Sequence, residues 1–271
     1  MQLTVTTWNI NSVRLRLGLV GQALAELRPD VLCLQETKCP DDRLPLEELK
    51  GFGYPYLVHV GQKGYNGVAI LSRLPFAATH GLEFCGRRDA RHVGVTLGAG
   101  AGAAAGLRVE NFYVPAGGDI PDPSLNEKFA HKLDYLAELR RWGAEGRQTA
   151  GPAILVGDLN VAPLEHDVWS HRQLLDVVSH TPVETELLEA LREEGGWIDA
   201  VRRMRPEPER VYTWWSYRSP DWQAADKGRR LDHVWLSPCL AGSLRAVHIH
   251  REARAWERPS DHVPVTVRLD L

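Results

Sequence analysis

The sequence predicts an α/β fold in which two packed β-sheets are flanked by helices. Three observations lead there. Strand-like segments recur along the whole chain with helical segments interspersed. They lack the regular βαβ alternation of a doubly wound single sheet. No shift of composition divides the 271 residues. That length exceeds the ~100–200 residues of a common domain but suits one large two-sheet unit, so residues 1–271 are read as a single domain.

The elements follow in order. Residues 3–10 alternate apolar and polar positions and form a strand whose end delivers Trp8, Asn9 and Asn11. Leu15, Leu19, Ala23, Leu24 and Leu27 recur at helical spacing up to Pro29. A short apolar strand over 31–35 ends in Glu36. Further strands are expected over 56–60, 67–71, 92–97, 107–114, 153–156, 231–236, 244–249 and 263–269, and helices over 125–142 and 184–194. Residues 98–106, almost all Gly and Ala, read as a flexible hairpin tip, and the surroundings of Pro206 and Pro208 as an exposed loop.

Composition narrows the class. Hydrophobic residues make up 44% and charged residues 25%, so a folded core is expected. No secretory signal is visible, and no apolar run approaches the ~18 residues of a membrane span; a soluble cytoplasmic protein without membrane attachment is expected. The cysteines Cys33, Cys39, Cys85 and Cys239 lack CxxC spacing and read as reduced structural thiols. A net charge of −3 and a pI near 6.4 argue against nucleic-acid binding through bulk positive charge. Local charge differs: Arg87, Arg88 and Arg91, then Arg202, Arg203 and Arg205, then Lys227, Arg229 and Arg230 form basic clusters.

Acidic and amide residues gather at the ends of the predicted strands: Asn9, Glu36, Asp158 with Asn160, Asp232, and Asp261 with His262. Strand ends on a rigid scaffold can aim side chains into one cleft. Hard oxygen donors without cysteine suit Mg²⁺ or Mn²⁺ better than zinc. Singly, each has a plainer role: Asp158 or Asp232 as a turn or cap, Glu36 as an exposed charge, His262 as a satisfied core histidine.

Local contexts sharpen the reading. Trp8-Asn9-Ile10-Asn11, Leu34-Gln35-Glu36-Thr37-Lys38, Gly64-Tyr65-Asn66-Gly67-Val68-Ala69, Asn111-Phe112-Tyr113-Val114-Pro115, Gly157-Asp158-Leu159-Asn160, Arg230-Leu231-Asp232-His233 and Ser260-Asp261-His262 occur in this order over nearly the whole chain. Together they resemble the exonuclease III family of bacterial abasic-site endonucleases, within the endonuclease, exonuclease and phosphatase superfamily. The resemblance implies a four-layered α/β sandwich, two packed mixed β-sheets flanked by helices, with the active site at one edge of the sheets. It implies Glu36 as principal metal ligand, assisted by Asn9 and Asp261, and Asp158 as the group that orients or deprotonates the attacking water, with Asn160 beside it. His262, oriented by Asp232, would stabilise charge on the phosphate. Tyr113 would donate to the phosphate or, with a lowered pKa, share in activating water. In a two-metal version Asp158, Asn160 and His262 would bind a second ion.

Substrate recognition is expected around 212–232, where aromatics stand beside cations: Trp214, Trp215, Arg218, Trp222, Arg229 and Arg230. The resemblance implies that Trp214 and Leu231 wall a pocket for a base-free deoxyribose, and Asn66 joins the substrate contacts. Arg218, Arg229 and Arg230 are expected to touch phosphates. Some relatives carry an amide after Tyr113-Val114-Pro115, where this chain has Ala116-Gly117-Gly118. The expected partner is double-stranded DNA with abasic sites or 3′ ends, bound by a monomer. A lipid or poly(A) phosphodiesterase and a nonenzymatic RNA-binding regulator are the competing readings; the aromatic and basic segment disfavours lipid, and the full polar constellation disfavours a pure binding module.

Overall fold

The structure, a computed structural model, describes residues 1–145, 149–219 and 221–271. One six-stranded sheet is ordered β13-β14-β1-β2-β4-β3, from β1 (Gln2–Asn9), β2 (Val31–Gln35), β3 (Tyr56–Val60), β4 (Val68–Ser72), β13 (Leu244–Ile249) and β14 (Val265–Asp270). The second six-stranded sheet is ordered β5-β6-β7-β8-β12-β9, from β5 (Phe76–His80), β6 (His92–Leu97), β7 (Arg108–Tyr113), β8 (Ala153–Asp158), β9 (Ile198–Asp199) and β12 (Asp232–Leu236). A small ribbon pairs β10 (Trp214–Trp215) with β11 (Gly228–Arg229). The helices are α1 (Leu17–Leu27), α2 (Leu46–Gly51), α3 (Glu127–Ala144), α4 (His171–Leu174), α5 (Pro182–Glu194), α6 (Ala200–Met204) and α7 (Trp222–Ala225). No helix among the described residues is long and apolar enough to cross a membrane.

Both sheets are mixed, and strand parity builds the layers. Leu3, Val5, Val31 and Cys33 face Val109, Ile154, Val156 and Val234 in one core between the sheets. The alternate residues Trp8, Leu32 and Leu34 pack under Val20 and Leu24 of α1 and Leu49 of α2. On the other side Phe112, Leu155 and Trp235 pack under Tyr135, Leu136 and Leu139 of α3 and Leu188 and Leu191 of α5. Strands covered on both faces read as continuous apolar runs, which is why they were legible in the sequence.

Residues 98–106 depart from the expected flexible tip. They do connect two paired strands, but Ala99–Ala104 winds into short 3-10 turns around Gly102, and Ala101 and Ala104 join the inter-sheet core. Small apolar side chains let this backbone lie flat on the core, so a composition that resembles a loose linker folds instead.

Register places the polar strand ends side by side. Asn9 pairs with Gln35 across the parallel β1–β2 contact, and Tyr113, Asp158 and Asp232 are cross-strand neighbours on β7, β8 and β12.

Candidate active site

The site begins where the strands end in unusual backbone. Asn11, Glu36, Asn66 and Asn160 have φ of 48°, 50°, 47° and 54°, the left-handed region that non-glycine residues adopt at a cost. The Glu36 turn is held from outside: the Lys38 N–H donates to the Asn66 carbonyl at 2.8 Å and the Thr37 N–H to that of Gly67 at 3.1 Å. Gly67 has φ +92° and a Cβ there would meet Thr37 Oγ1 at 2.1 Å, so only glycine permits this approach.

Asp158, Asp232 and His262 are buried and converge. His262 Nδ1 donates to Asp232 Oδ2 at 2.8 Å, and its Nε2 lies 3.6 Å from Asp158 Oδ2. Trp8 Nε1 donates to the His262 carbonyl at 3.0 Å, and Ser260 Oγ to the Asn9 carbonyl at 2.6 Å, fixing the last loop on β1. Asn9 Nδ2 bridges Glu36 Oε1 and Asp158 Oδ2, both at 2.8 Å. The Asn160 N–H donates to Asp158 Oδ1 at 3.0 Å and its Nδ2 to Oδ2 at 3.1 Å.

Electrostatics follows from this packing. Burial raises the Asp158 carboxyl and the Asp232 and Glu36 charges add to it, against His262 and the Asn9 amide, leaving it at about 7. Burial alone would lower His262, but Asp232 and Asp158 outweigh it and raise the imidazole to about 10, so the ring is cationic at neutral pH. Burial, then the Glu36 and Asp158 charges, hold the Tyr113 phenol well above its ordinary value. That favours the protonated phenol, with its hydroxyl able to donate.

Above these groups opens a cavity of about 520 Å³, with Glu36, Asn160, Asp261 and His262 on its floor and Trp214 and Leu231 among its walls. Arg218, Lys227 and Arg229 stand on its rim side. The Arg229 guanidinium lies 5.3 Å from the centre of the Trp214 ring. Beyond the Tyr113–Ala116 ridge a second cavity of about 480 Å³ carries Arg87, Arg91, Lys128 and Tyr65. A concave acidic floor between two cationic flanks suits a phosphodiester whose neighbouring phosphates extend both ways.

A sequence profile of the Endonuclease/Exonuclease/phosphatase family matches residues 6–262. The chain belongs to this family. It is 30% identical to the exodeoxyribonuclease III of Haemophilus influenzae, over 96% of this chain and 97% of that one. An AP endonuclease from Archaeoglobus fulgidus superposes with a TM-score of 0.90 at 32% identity, covering 99% of this chain and 100% of that one. A 3′ phosphatase from Neisseria, solved bound to a product DNA hairpin, does so with a TM-score of 0.89 at 34% identity and the same coverage.

The family is one of metal-dependent nucleases, and the residues here fit a divalent cation. Among the described residues the direct ion pairs of Glu36, Asp158 and Asp232 are to Lys38 and His262, and Asp232 Oδ1 is buried without a partner. Such an excess of hard, negative oxygen favours Mg²⁺-like ions. A second cluster, His80, His92 and Glu110, does not suit a metal. The Leu82 N–H donates to His92 Nδ1 at 3.0 Å, so the ring hydrogen sits on Nε2, which donates to Glu110 Oε2 at 3.0 Å and is closed to ligation.

Several expectations for family residues need correction. Arg230 touches no phosphate: it is fully buried, with Nε and Nη2 on Asp167 at 2.6 and 2.7 Å and Nη1 on Asp199 at 2.7 Å. Trp215 is buried too, its Nε1 donating to Asp226 Oδ1 at 2.9 Å, so it supports the wall from behind. Trp222 packs against Trp215 with ring centres 5.2 Å apart and planes tilted by 60°, and lines a neighbouring pocket with Arg218 instead of the cavity over His262. Asn66 lines the second cavity with Arg87 and Arg91, and its amide also braces the loop by donating to the Asp89 carbonyl at 2.8 Å. Asn9 accepts the Asn11 N–H on its oxygen at 3.0 Å, which leaves one lone pair there, and gives its NH₂ to the two carboxylates. Burial decides the cases of Arg230 and Trp215, and burial is not visible in spacing.

Sequence reasoning missed Lys38, which pairs with Glu36 Oε2 at 2.7 Å, and placed Asn11 at the strand end without a role, where its Nδ2 donates to Asp261 Oδ1 at 3.1 Å. Both lie inside the quoted motifs, where the polar side chain after a strand end was the available signal.

Proposed function

We propose that this chain is a Mg²⁺-dependent DNA repair phosphodiesterase that cuts the backbone 5′ to an abasic site and also trims and cleans 3′ ends of duplex DNA. The observation that carries the reading is the buried Asp158, His262 and Asp232 set at the foot of a cavity walled by Trp214 and Leu231, with cations on both flanks. The relatives support it, an exodeoxyribonuclease III, an AP endonuclease and a 3′ phosphatase.

Glu36 and Asp261, at the cavity floor, would hold Mg²⁺, with Mn²⁺ as substitute; the ion would withdraw charge from a phosphate oxygen. Asp158 takes the proton of a water that attacks phosphorus, and Asn160 holds that water. His262, cationic and oriented by Asp232, donates to the phosphate as charge develops, and the Tyr113 hydroxyl donates beside it. The bond from phosphorus to the 3′ oxygen breaks and that oxygen takes a proton from solvent, leaving a 3′ hydroxyl and a 5′ phosphate on the base-free sugar. Trp214 and Leu231 would admit that sugar and exclude a nucleotide with its base, while Arg218 and Arg229 contact phosphates without reading sequence.

The cysteines are all free, which agrees with the reducing cytoplasm. Residues 1–271 acting as one domain and one monomer contain every group named. A duplex with a central abasic analogue, incubated with Mg²⁺ or with chelator, tests the reading: an internal nick that needs Mg²⁺ is expected, and no cleavage of any strand would overturn it.

A further inference from the structure

The catalytic groups rest on a buried cation that the mechanism above does not use. Lys132 of α3 is fully buried and lines neither cavity. Its Nζ donates to the main-chain oxygen of Asn160 at 2.7 Å and reaches that of Ala116 at 3.4 Å. It is ion-paired with Glu184 of α5, also fully buried. Glu184 in turn accepts the Ser179 N–H at 2.9 Å and the Thr181 hydroxyl at 2.6 Å. Gly117, with φ +89°, lies so close that a Cβ would stand 2.8 Å from Lys132 Cδ. One ion pair thus ties together the loops after β7 and β8 and the segment before α5, all of which border the cavity.

We propose that Lys132 is a positioning residue for hydrolysis, acting through the Asn160 backbone to hold the left-handed turn that carries Asp158 and Asn160 toward the phosphate. The reasoning is steric and electrostatic. Asn160 keeps φ 54° while its N–H and Nδ2 both bind Asp158, so the direction of its carbonyl decides where Asp158 points. Without a buried donor that carbonyl is unpaired and the turn relaxes. Sub-ångström displacement of a catalytic group is sufficient to slow chemistry while leaving binding intact.

The inference rests on the nuclease reading, and the experiment separates the two. Lys132→Met and the double variant Lys132→Met with Glu184→Gln are compared with wild type on an abasic duplex with Mg²⁺, reading kcat, KM and Tm. The single variant strands a buried carboxylate and should lose both Tm and kcat. The double variant has no unpaired charge and should regain most of the Tm, while kcat stays down by on the order of tenfold to a hundredfold and KM holds near wild type. Recovery of kcat together with Tm in the double variant would show that the pair serves the fold alone and would sink the proposal. If the single variant does not fold, the double variant decides by itself. Hydrogen exchange at the Asn160 amide gives a reading without substrate: protection should drop in the double variant, and unchanged protection would count against the role. Wild-type inactivity, by contrast, would overturn the nuclease reading.

Discussion

Arg230 and Asp232 are nearly adjacent in the chain yet belong to two buried charge clusters of opposite character. Around Arg230, Asp167 and Asp199 are each met by a guanidinium, and Arg202 adds a second to Asp167. Burial would raise Asp167, but Arg230 and Arg202 outweigh it and hold the carboxyl below its usual range. Around Asp232 the carboxylates outnumber the cations: one Asp232 oxygen has no partner and Asp158 is pushed up to about 7. A matched cluster locks backbone; an unmatched one is electrostatically frustrated and so retains a use for a metal ion, a water and a phosphate. The fold places them back to back, with the first bracing the second.

Removing the unmatched charge should therefore cost the most activity and the least stability. Asp158→Asn is expected to lower kcat by about 10²- to 10⁴-fold, the range for a lost general base, with DNA affinity little changed. In chelator at neutral pH the same change should raise stability by about 0.5–2 kcal/mol, since a carboxyl with a raised folded pKa is strained when ionised. Steady-state kinetics and denaturant unfolding check both halves; a variant that binds DNA poorly but turns over normally would reverse the assignment.

Removing the matched charge should do the opposite. Arg230→Ala takes the guanidinium from Asp199 and leaves the buried Asp167 with Arg202 alone, and is expected to cost about 3–5 kcal/mol of unfolding free energy. The salt dependence of DNA binding should not move. A loss of about one unit in the log–log slope would instead place Arg230 on a phosphate.

This contrast also marks what the sequence could tell. The strands and the two-sheet layering were legible because strands buried on both faces are apolar throughout, and the site because Asn9, Glu36, Asp158, Asp232 and His262 stand at strand ends that the sheets bring to one edge; the order of strands within each sheet was not. Arg230 was misread because a cation beside aromatic residues has the same local signature whether it faces solvent or two carboxylates distant in the chain. Strand β5 was missed because Phe76–His80 is an edge strand, mostly exposed, without an apolar face to announce it. Lys132 and Glu184 carry no local signal at all: their pairing exists only once α3 and α5 pack together.

Glu110 offers a milder test, a buried carboxylate held through one oxygen by two histidines. Burial opposes it, but hydrogen bonds from His80 and His92 bring its pKa to about 2, below the ordinary 4.5. A depressed carboxyl contributes fully above its unfolded pKa and loses that contribution as pH falls toward the folded one. Wild-type stability should thus drop between pH 5 and about 2, and Glu110→Gln should shrink the difference between pH 7 and pH 3 by roughly 2 kcal/mol. Equal acid sensitivity in both proteins would remove Glu110 from the acid limb.

The smallest effects should come from the cavity wall, where no charge is lost. Trp214 has two jobs, because its ring lines the cavity and its Nε1 donates to Asp261 Oδ2 at 3.0 Å. Leu231 has only the first, being an apolar wall residue packed with Ala162, Val168 and Leu174. Trp214→Phe keeps a ring but frees Asp261, and should raise the Mg²⁺ needed for half-maximal rate by about tenfold while sparing the abasic preference. Leu231→Ala should do the reverse: Mg²⁺ demand stays, and the ratio of abasic to intact-duplex cleavage falls by about tenfold, the scale on which a few methylenes discriminate. Both ratios come from one Mg²⁺ titration on paired duplexes. If Leu231→Ala left the abasic preference intact, the size filter would have to sit elsewhere, with Trp169 and Val177 on the same cavity as the next positions to truncate.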